Sequence, residues 1–256
     1  MELTAEDVLE TYKLKAAGIK NLAKYKHWFP IEPCPRIAGI VADLMADGHL
    51  QGGRMWRMDY CSASLEELER LNKEINELFG YSGYTRPCVT NRYGKTYLLA
   101  INCNQLGRVM SLLGVPRGQK VITKFNVPGW VTNDKECFRM FIQRLFDCEG
   151  CVDLSGPAIT LYMWKEKSLL KDGIDFFQTI KDCLLEHFGI ITTNVFTTGR
   201  HIRKDGKEIL GIKIKVKRQA EIVKFAQEIK FDTKEKQKKL ELMVNSINRK
   251  SGVTGI

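Results

Sequence analysis

At 256 residues and 44% hydrophobic, the chain is long enough to bury a full core, as one large domain or two of ordinary size. Forty Lys and Arg against thirty Asp and Glu leave a formal charge of +10, which favours a polyanionic partner such as nucleic acid. No run of 18 apolar residues occurs, which excludes a membrane-spanning helix, and the opening Met1-Glu-Leu-Thr-Ala-Glu-Asp7 lacks the basic-then-apolar order of a signal peptide.

Residues 1–30 read as a helical extension that either packs on the first repeat or adds DNA contacts through Lys13, Lys15, Lys20, Lys24 and Lys26. That first repeat is expected over 31–114. It begins with an apolar, helix-periodic run, Ile40-Val-Ala-Asp-Leu-Met-Ala46, that ends in Asp47-Gly48. A strand is expected over Arg54–Cys61, then an amphipathic helix over Ser64–Phe79 stopped by Gly80. A hairpin over Asn91–Ile101 and a helix over Asn104–Leu113 complete the repeat. Residues 115–132 are too rich in Pro and Gly for a long helix and read as a linker.

The second repeat, 133–256, runs through the same signals. Ile142–Cys148 ends in Glu149-Gly150, and Ala158–Trp164 reads as a strand. Leu169–Phe188 is a helix stopped by Gly189; Asp205-Gly206 marks a tight hairpin turn; Gln219–Ile229 is the third helix. A lysine-rich helix, Thr233 to Lys250, comes last. The acids lie 102 residues apart (149 − 47), the helix-stopping glycines 109 (189 − 80) and the hairpin glycines 112 (206 − 94), the slow drift of a duplication with small insertions. Each half reads α-β-β-α-β-β-α, an α+β protein with antiparallel sheets and internal pseudo-symmetry.

A duplicated helix tipped with an acid can bring two carboxylates together at the internal axis. Ala38, Ala42 and Ala46 place one small residue every four along the first such helix, a stripe that suits close helix–helix approach. Two carboxylates at the foot of that seam repel unless cations sit between them. An oxygen-ligated divalent ion, most simply Mg²⁺ (or Mn²⁺), resolves the repulsion and can activate water for attack on phosphorus. Asp47 and Glu149 are therefore the expected metal ligands and catalytic acids.

In Leu210-Gly-Ile-Lys-Ile-Lys-Val-Lys217 the alternation puts Ile212, Ile214 and Val216 on one face and Lys213, Lys215 and Lys217 on the other. Three like charges in a row suit a phosphate track. Lys165, Arg200, Arg203 and Lys204 extend it, and Arg54, Arg57, Arg86, Arg92 and Lys95 occupy the corresponding strands and tips of the first repeat. A β-ribbon carrying such residues can enter the major groove of duplex DNA, and because the halves differ in sequence the preferred site is expected to be asymmetric. Eight scattered cysteines suit reduced thiols in an intracellular, reducing compartment, and Cys148-Glu-Gly-Cys151 lacks a second pair to complete a zinc site.

These residues resemble the LAGLIDADG homing endonucleases. The resemblance covers roughly residues 35–249: both acid-tipped helices, the paired repeats, and the linker Leu113-Gly-Val-Pro-Arg-Gly-Gln-Lys120 with Val127-Pro-Gly-Trp130. It implies a single-chain monomer whose sheets form a DNA-binding saddle, cutting a long double-stranded DNA site with Mg²⁺ to leave a staggered break. It further implies one metal-binding acid per strand, supporting ligation by the backbone carbonyls of Ala46 and Cys148, and a basic residue near each scissile phosphate, matched by Lys120 and by Lys236. Relatives of this fold also act on intron RNA as maturases, and a DNA-binding regulator without cleavage is a further alternative. Arg144, at the counterpart of Ala42, is expected to loosen the seam or reach out of it, and Met45 stands where the motif often has an acid. The chain starts Met1-Glu-Leu and ends Val253-Thr-Gly-Ile256, without the terminal residues of self-splicing chemistry, so an intron-encoded or free-standing enzyme is expected.

Overall fold

The computed structural model describes residues 2–88 and 95–250, within which two runs of helix and strand share the same order. They fall in two compact units, Met1–Lys120 and Val121–Ile256.

The first unit opens with α1 (Ala5–Glu10) and α2 (Lys15–Leu22), then α3 (Pro35–Met45), β1 (Gly48–Leu50), β2 (Met58–Ser62), α4 (Leu65–Phe79), β3 (Tyr84–Pro87), β4 (Tyr97–Ile101) and α5 (Asn104–Leu112). The second holds α6 (Gly129–Thr132), α7 (Lys135–Glu149), β5 (Gly150–Asp153), β6 (Ala158–Glu166), α8 (Leu170–Phe188), β7 (Phe196–Ile202), β8 (Glu208–Val216), α9 (Gln219–Glu228) and α10 (Lys234–Lys250). From α3 to α5 and from α7 to α9 the order is α-β-β-α-β-β-α, as the sequence implies. Each repeat has one four-stranded antiparallel sheet, ordered β1-β2-β4-β3 and β5-β6-β8-β7.

Local sequence explains the helices. Ser64 caps α4 by accepting the Glu67 amide at 3.3 Å, and Leu68, Leu71, Ile75 and Phe79 bury a stripe at helical spacing. Gly80 and Gly189 end α4 and α8 in the left-handed region, at φ 59° and 62°, where a side chain would be strained. In β8 the alternation holds: Ile212, Ile214 and Val216 are buried against the helical layer, and Lys213 and Lys215 face outward. Each of the larger buried side chains stabilises its unit by roughly 1.5–3 kcal/mol.

The expected strand over Arg54–Cys61 is shorter at its start. Arg54 to Arg57 form the β1–β2 loop instead, and pairing begins at Met58. Arg117 holds that loop, donating to the carbonyls of Gly53 (2.8 Å) and Met55 (3.3 Å), bonds that a strand partner would otherwise take. The N-terminal helices pack on the first repeat. Trp28 is buried, and its indole N–H donates to the Phe79 carbonyl at 2.7 Å. The Arg108 guanidinium lies 3.7 Å from the Tyr12 ring and 4.4 Å from Trp56, and that of Arg117 lies 3.5 Å from the same Trp56 ring.

Arg144 does not sit as a loose cation. It is only 5% exposed, and its guanidinium lies 2.9 Å from Asp232 in the segment between α9 and α10. In α3, Asp43 is buried in the same way and pairs with Arg70 of α4 at 3.2 Å. A buried charge of either sign is tolerated here because its partner comes with it.

Candidate metal-binding and nucleic-acid-binding sites

In the first repeat α3 ends at Met45, Ala46 leaves helical geometry (φ −95°, ψ −99°), and Asp47 stands at the corner where Gly48 opens β1. A Cβ at Gly48 would lie 2.8 Å from Leu44 Cα and 2.8 Å from the Tyr60 ring, so the strand can leave the helix this tightly only through glycine. The second repeat makes the same corner. Glu149 ends α7, Gly150 opens β5, and an added Cβ there would strike the Phe146 carbonyl oxygen. Sterics account for the glycine of each acid–glycine pair and leave the acid itself unaccounted for.

A lysine returns to each corner. Lys120 lies eight residues past the end of α5 (120 − 112) and Lys236 eight past the end of α9 (236 − 228). Lys120 Nζ donates to the Gly48 carbonyl at 2.8 Å. Lys236 Nζ donates to the carbonyls of Phe146 (3.3 Å) and Asp147. The carbonyls that Lys236 takes belong to the last turn of α7, where the helix dipole favours a cation, whereas Lys120 holds the first carbonyl of β1. Asp147 fastens the second corner further, accepting the amides of Asp232 (3.1 Å) and Thr233 (3.0 Å) ahead of α10. Burial pushes its carboxyl above the usual range, opposed by those two amides. The matching position in the first repeat is Met45, fully buried, where no such tie is needed.

His49, one residue past the first corner, belongs to no motif in the sequence. It faces Asp59 across the β1–β2 pair, and burial, with Lys120 as the second cause, holds its imidazole below the ordinary pKa. It is therefore neutral at neutral pH. The sequence signal for it is its place beside Asp47-Gly48.

Among the described residues, no three His, Cys, Asp or Glu side chains gather as a ready metal cage. Each corner instead offers one carboxylate and the amide carbonyls around it. Such a hard, sparse oxygen set suits Mg²⁺, which keeps several waters and takes one or two carboxylates plus substrate phosphate, and it does not suit a cation that demands a full protein shell.

The expected cations fall into distinct classes. Lys213 and Lys215 stand on the open face of the second sheet, with Thr160 and Tyr162 of β6 and Cys151 and Asp153 of β5 beside them. Together with Lys239 of α10 these line a shallow concavity of about 510 Å³. Lys217 lies exposed just past β8, and Lys204 is exposed in the β7–β8 turn. Arg200 and Arg203 are held by Glu208 (2.9 Å) and Asp205 (3.2 Å), which partly offset their charge. In the first repeat Arg86 is exposed on β3, Arg54 on the β1–β2 loop and Lys95 just before β4, whereas Arg57 is paired with Asp59 at 2.7 Å. Arg92 and the hairpin glycine Gly94 lie outside the described residues. The expectation for Lys165 is corrected: it is 4% exposed, donates to the Thr123 carbonyl at 2.6 Å, pairs with Asp172 at 3.1 Å and sits 3.9 Å from the Phe125 ring. It points through the sheet to the buried side and ties down the linker, so it cannot reach a phosphate.

No protein-family model matches the chain. Among curated proteins it is similar to the replication factor C small subunit of Methanocaldococcus jannaschii, 26% identical over 211 residues, which is 74% of this chain and 11% of that protein. It is also similar to the tRNA-splicing ligase RtcB of Pyrococcus abyssi, 31% identical over 172 residues, 61% of this chain and 18% of that protein. The chain thus spans less than a fifth of the length of either. Among solved structures, full-length DUF199/WhiA from Thermatoga maritima has a TM-score of 0.50 at 14% identity, covering 92% of this chain and 68% of that one. The homing endonuclease I-WcaI bound to its DNA recognition sequence has a TM-score of 0.48 at 11% identity, covering 92% and 97%. At these identities the likeness is one of fold alone, a fold of two α-β-β-α-β-β-α repeats with one four-stranded antiparallel sheet in each.

Proposed function

We propose that the chain is a LAGLIDADG homing endonuclease, a site-specific nuclease that hydrolyses both strands of a long, asymmetric duplex DNA site with Mg²⁺ as cofactor. One observation carries this reading: in both repeats an acid stands at a glycine-enforced corner, with a lysine eight residues past the third helix bonded back to that corner. A turn alone requires neither the acid nor the lysine, and their joint recurrence is what phosphodiester hydrolysis uses. The curated relatives support it in a different way. Two proteins of unrelated name share this stretch over only 11% and 18% of their lengths, as expected of a module with an activity of its own.

In this reading Asp47 and Glu149 hold the metal, with the Ala46 and Cys148 carbonyls as supporting oxygens. The ion, when bound, neutralises charge at the scissile phosphate and acidifies a water. Lys120 and Lys236 fix the carbonyls beside each acid and keep an ammonium charge where negative charge develops. Lys213, Lys215 and Lys217 hold the DNA backbone and bases along the second sheet, and Arg54, Arg86 and Lys95 do so in the first repeat. The chain acts as a monomer, because both halves of the site are encoded in it, and in a reducing compartment that keeps its eight cysteines as thiols.

The test is Mg²⁺-dependent cleavage of a randomised duplex library beside the Asp47→Asn/Glu149→Gln double variant. Recovery of one long site, cut by wild type and merely bound by the variant, is the expected result. Tight duplex binding without cleavage by wild type sinks the nuclease and leaves a DNA-binding regulator. Intron splicing that survives the double substitution identifies a maturase.

A further inference from the structure

On the open face of the second sheet three side chains form one row across three strands. Tyr162 of β6, Lys213 of β8 and Phe196 of β7 are in direct register. The Lys213 ammonium stands over both rings, 5.5 Å from the Tyr162 centroid and 5.6 Å from Phe196. Tyr162 packs edge-to-face on Trp164 at 5.4 Å, and it can lie down on the sheet because Gly211 beneath it has no side chain: a Cβ there would strike the Tyr162 ring. Phe196, at 38% exposure, is the apolar outlier of the row. A face used only as a phosphate track needs ammonium groups and gains nothing from an aromatic frame, whereas a base-reading site needs a donor held upright and an apolar edge beside it.

We propose that the row Tyr162–Lys213–Phe196 is a base-reading subsite of the second repeat, taking a guanine whose neighbour carries a 5-methyl group, thymine in ordinary DNA. The inference rests on the duplex-DNA reading of the chain. Lys213, confined between two rings, donates to the guanine O6 and N7 acceptors, which only the major groove presents. Phe196 supplies the apolar contact that a thymine methyl takes. Unpaired bases that stack on aromatic faces are the rival ligand. The geometry disfavours them, since the ammonium already covers one face of each ring and Tyr162 and Trp164 are only partly exposed.

The experiment takes the duplexes retained in the library selection and rebuilds them with deoxyuridine at each thymine in turn. Wild type is expected to lose about fourfold in affinity at one thymine, the worth of one methyl group. Phe196→Ala should bind the thymine and uracil forms of that duplex alike, and Phe196→Leu should restore the difference. Lys213→Met should relax the preference for guanine at the adjacent pair by about 5- to 160-fold. Circular dichroism melts check that each variant is folded. Blindness of wild type to every methyl overturns the subsite, as does a Lys213→Met loss that is equal for all sequences and lowers the salt slope by about one phosphate. Tighter binding to the single strand than to the duplex overturns it as well. If wild type retains no duplex at all, the DNA reading itself has failed, and this outcome is distinct from the others.

Discussion

Gly48→Ala tests whether the corner, and not merely the acid, makes the site. The new methyl would have to occupy a position 2.8 Å from the Leu44 Cα and 2.8–2.9 Å from two carbons of the Tyr60 ring. Carbon atoms pack best about 3.5–4.0 Å apart, so roughly 1 Å must be found on two sides at once. Neither side yields cheaply: Leu44 belongs to the backbone of α3, and Tyr60 is only 3% exposed in β2. Overpacking of this kind costs about 1–3 kcal/mol. At about 2–4 °C per kcal/mol for a chain of this size, a cost near 2 kcal/mol lowers the melting temperature by roughly 4–8 °C. The alanine also pries β1 from the helix end, moving Asp47 and the Gly48 carbonyl that Lys120 holds, so activity should fall far below what the loss of stability explains. The assay is cleavage of a supercoiled plasmid carrying the selected site, at a temperature where both proteins are folded. Wild type should give linear product, and Gly48→Ala should accumulate nicked circles, because the Glu149 corner is untouched. Gly129→Ala is the control, since nothing lies within 4 Å of its added Cβ. A Gly48→Ala enzyme that melts within a degree of wild type and linearises plasmid at the same rate refutes the steric account of the corner.

Lys120→Met and Lys236→Met should each lower single-turnover cleavage by roughly 10²- to 10³-fold while gel-shift affinity for the site stays within a few fold, the pattern of a lost charge stabiliser; equal losses of binding and cleavage would mark them as DNA anchors instead. Lys165→Met should cost about 1–3 kcal/mol by urea denaturation, because it leaves the Thr123 carbonyl unbonded and takes from Asp172 its ammonium partner, with the Phe125 amide still in place, yet leave the salt dependence of DNA binding unchanged. Asp134 caps α7 by accepting the Cys137 amide at 2.7 Å, and that bond holds its carboxyl below the usual range. Asp134→Ala should cost about 1 kcal/mol at neutral pH. A depressed folded-state pKa gives stability that is present above the unfolded value, near 4, and lost as pH falls through the folded value, so the gap between wild type and variant should close in acid melts.

The parts legible in the sequence are those set by spacing along one element. The stripe of α4, the alternation of β8, the helix-stopping glycines and the doubled order of elements are all local periodicities, and the burial of Leu68, Leu71, Ile75, Ile212 and Ile214 comes from them. The strand start at Met58 is not legible, because what takes up the backbone of the preceding loop is Arg117, some sixty residues on. Lys165 departs from its sequence expectation for a related reason. A lysine in a strand is by default a surface charge, and only the arrival of Asp172 from α8 and of the linker carbonyl at Thr123 makes an inward-facing ammonium tolerable. Arg144 obeys the same logic with Asp232. Asp147 is hidden in the sequence behind Glu149, two residues later, although the acid at 147 is what binds the start of α10, and with it Lys236, to the second corner. A single sequence reports a residue's own preference faithfully and says little about partners far along the chain. The acid–glycine corners are the exception, because much of their constraint is local: Leu44 and Phe146, four residues before each glycine, already forbid a side chain there, with Tyr60 of β2 closing on Gly48 as well. That local origin is why both corners are readable from the sequence without the fold.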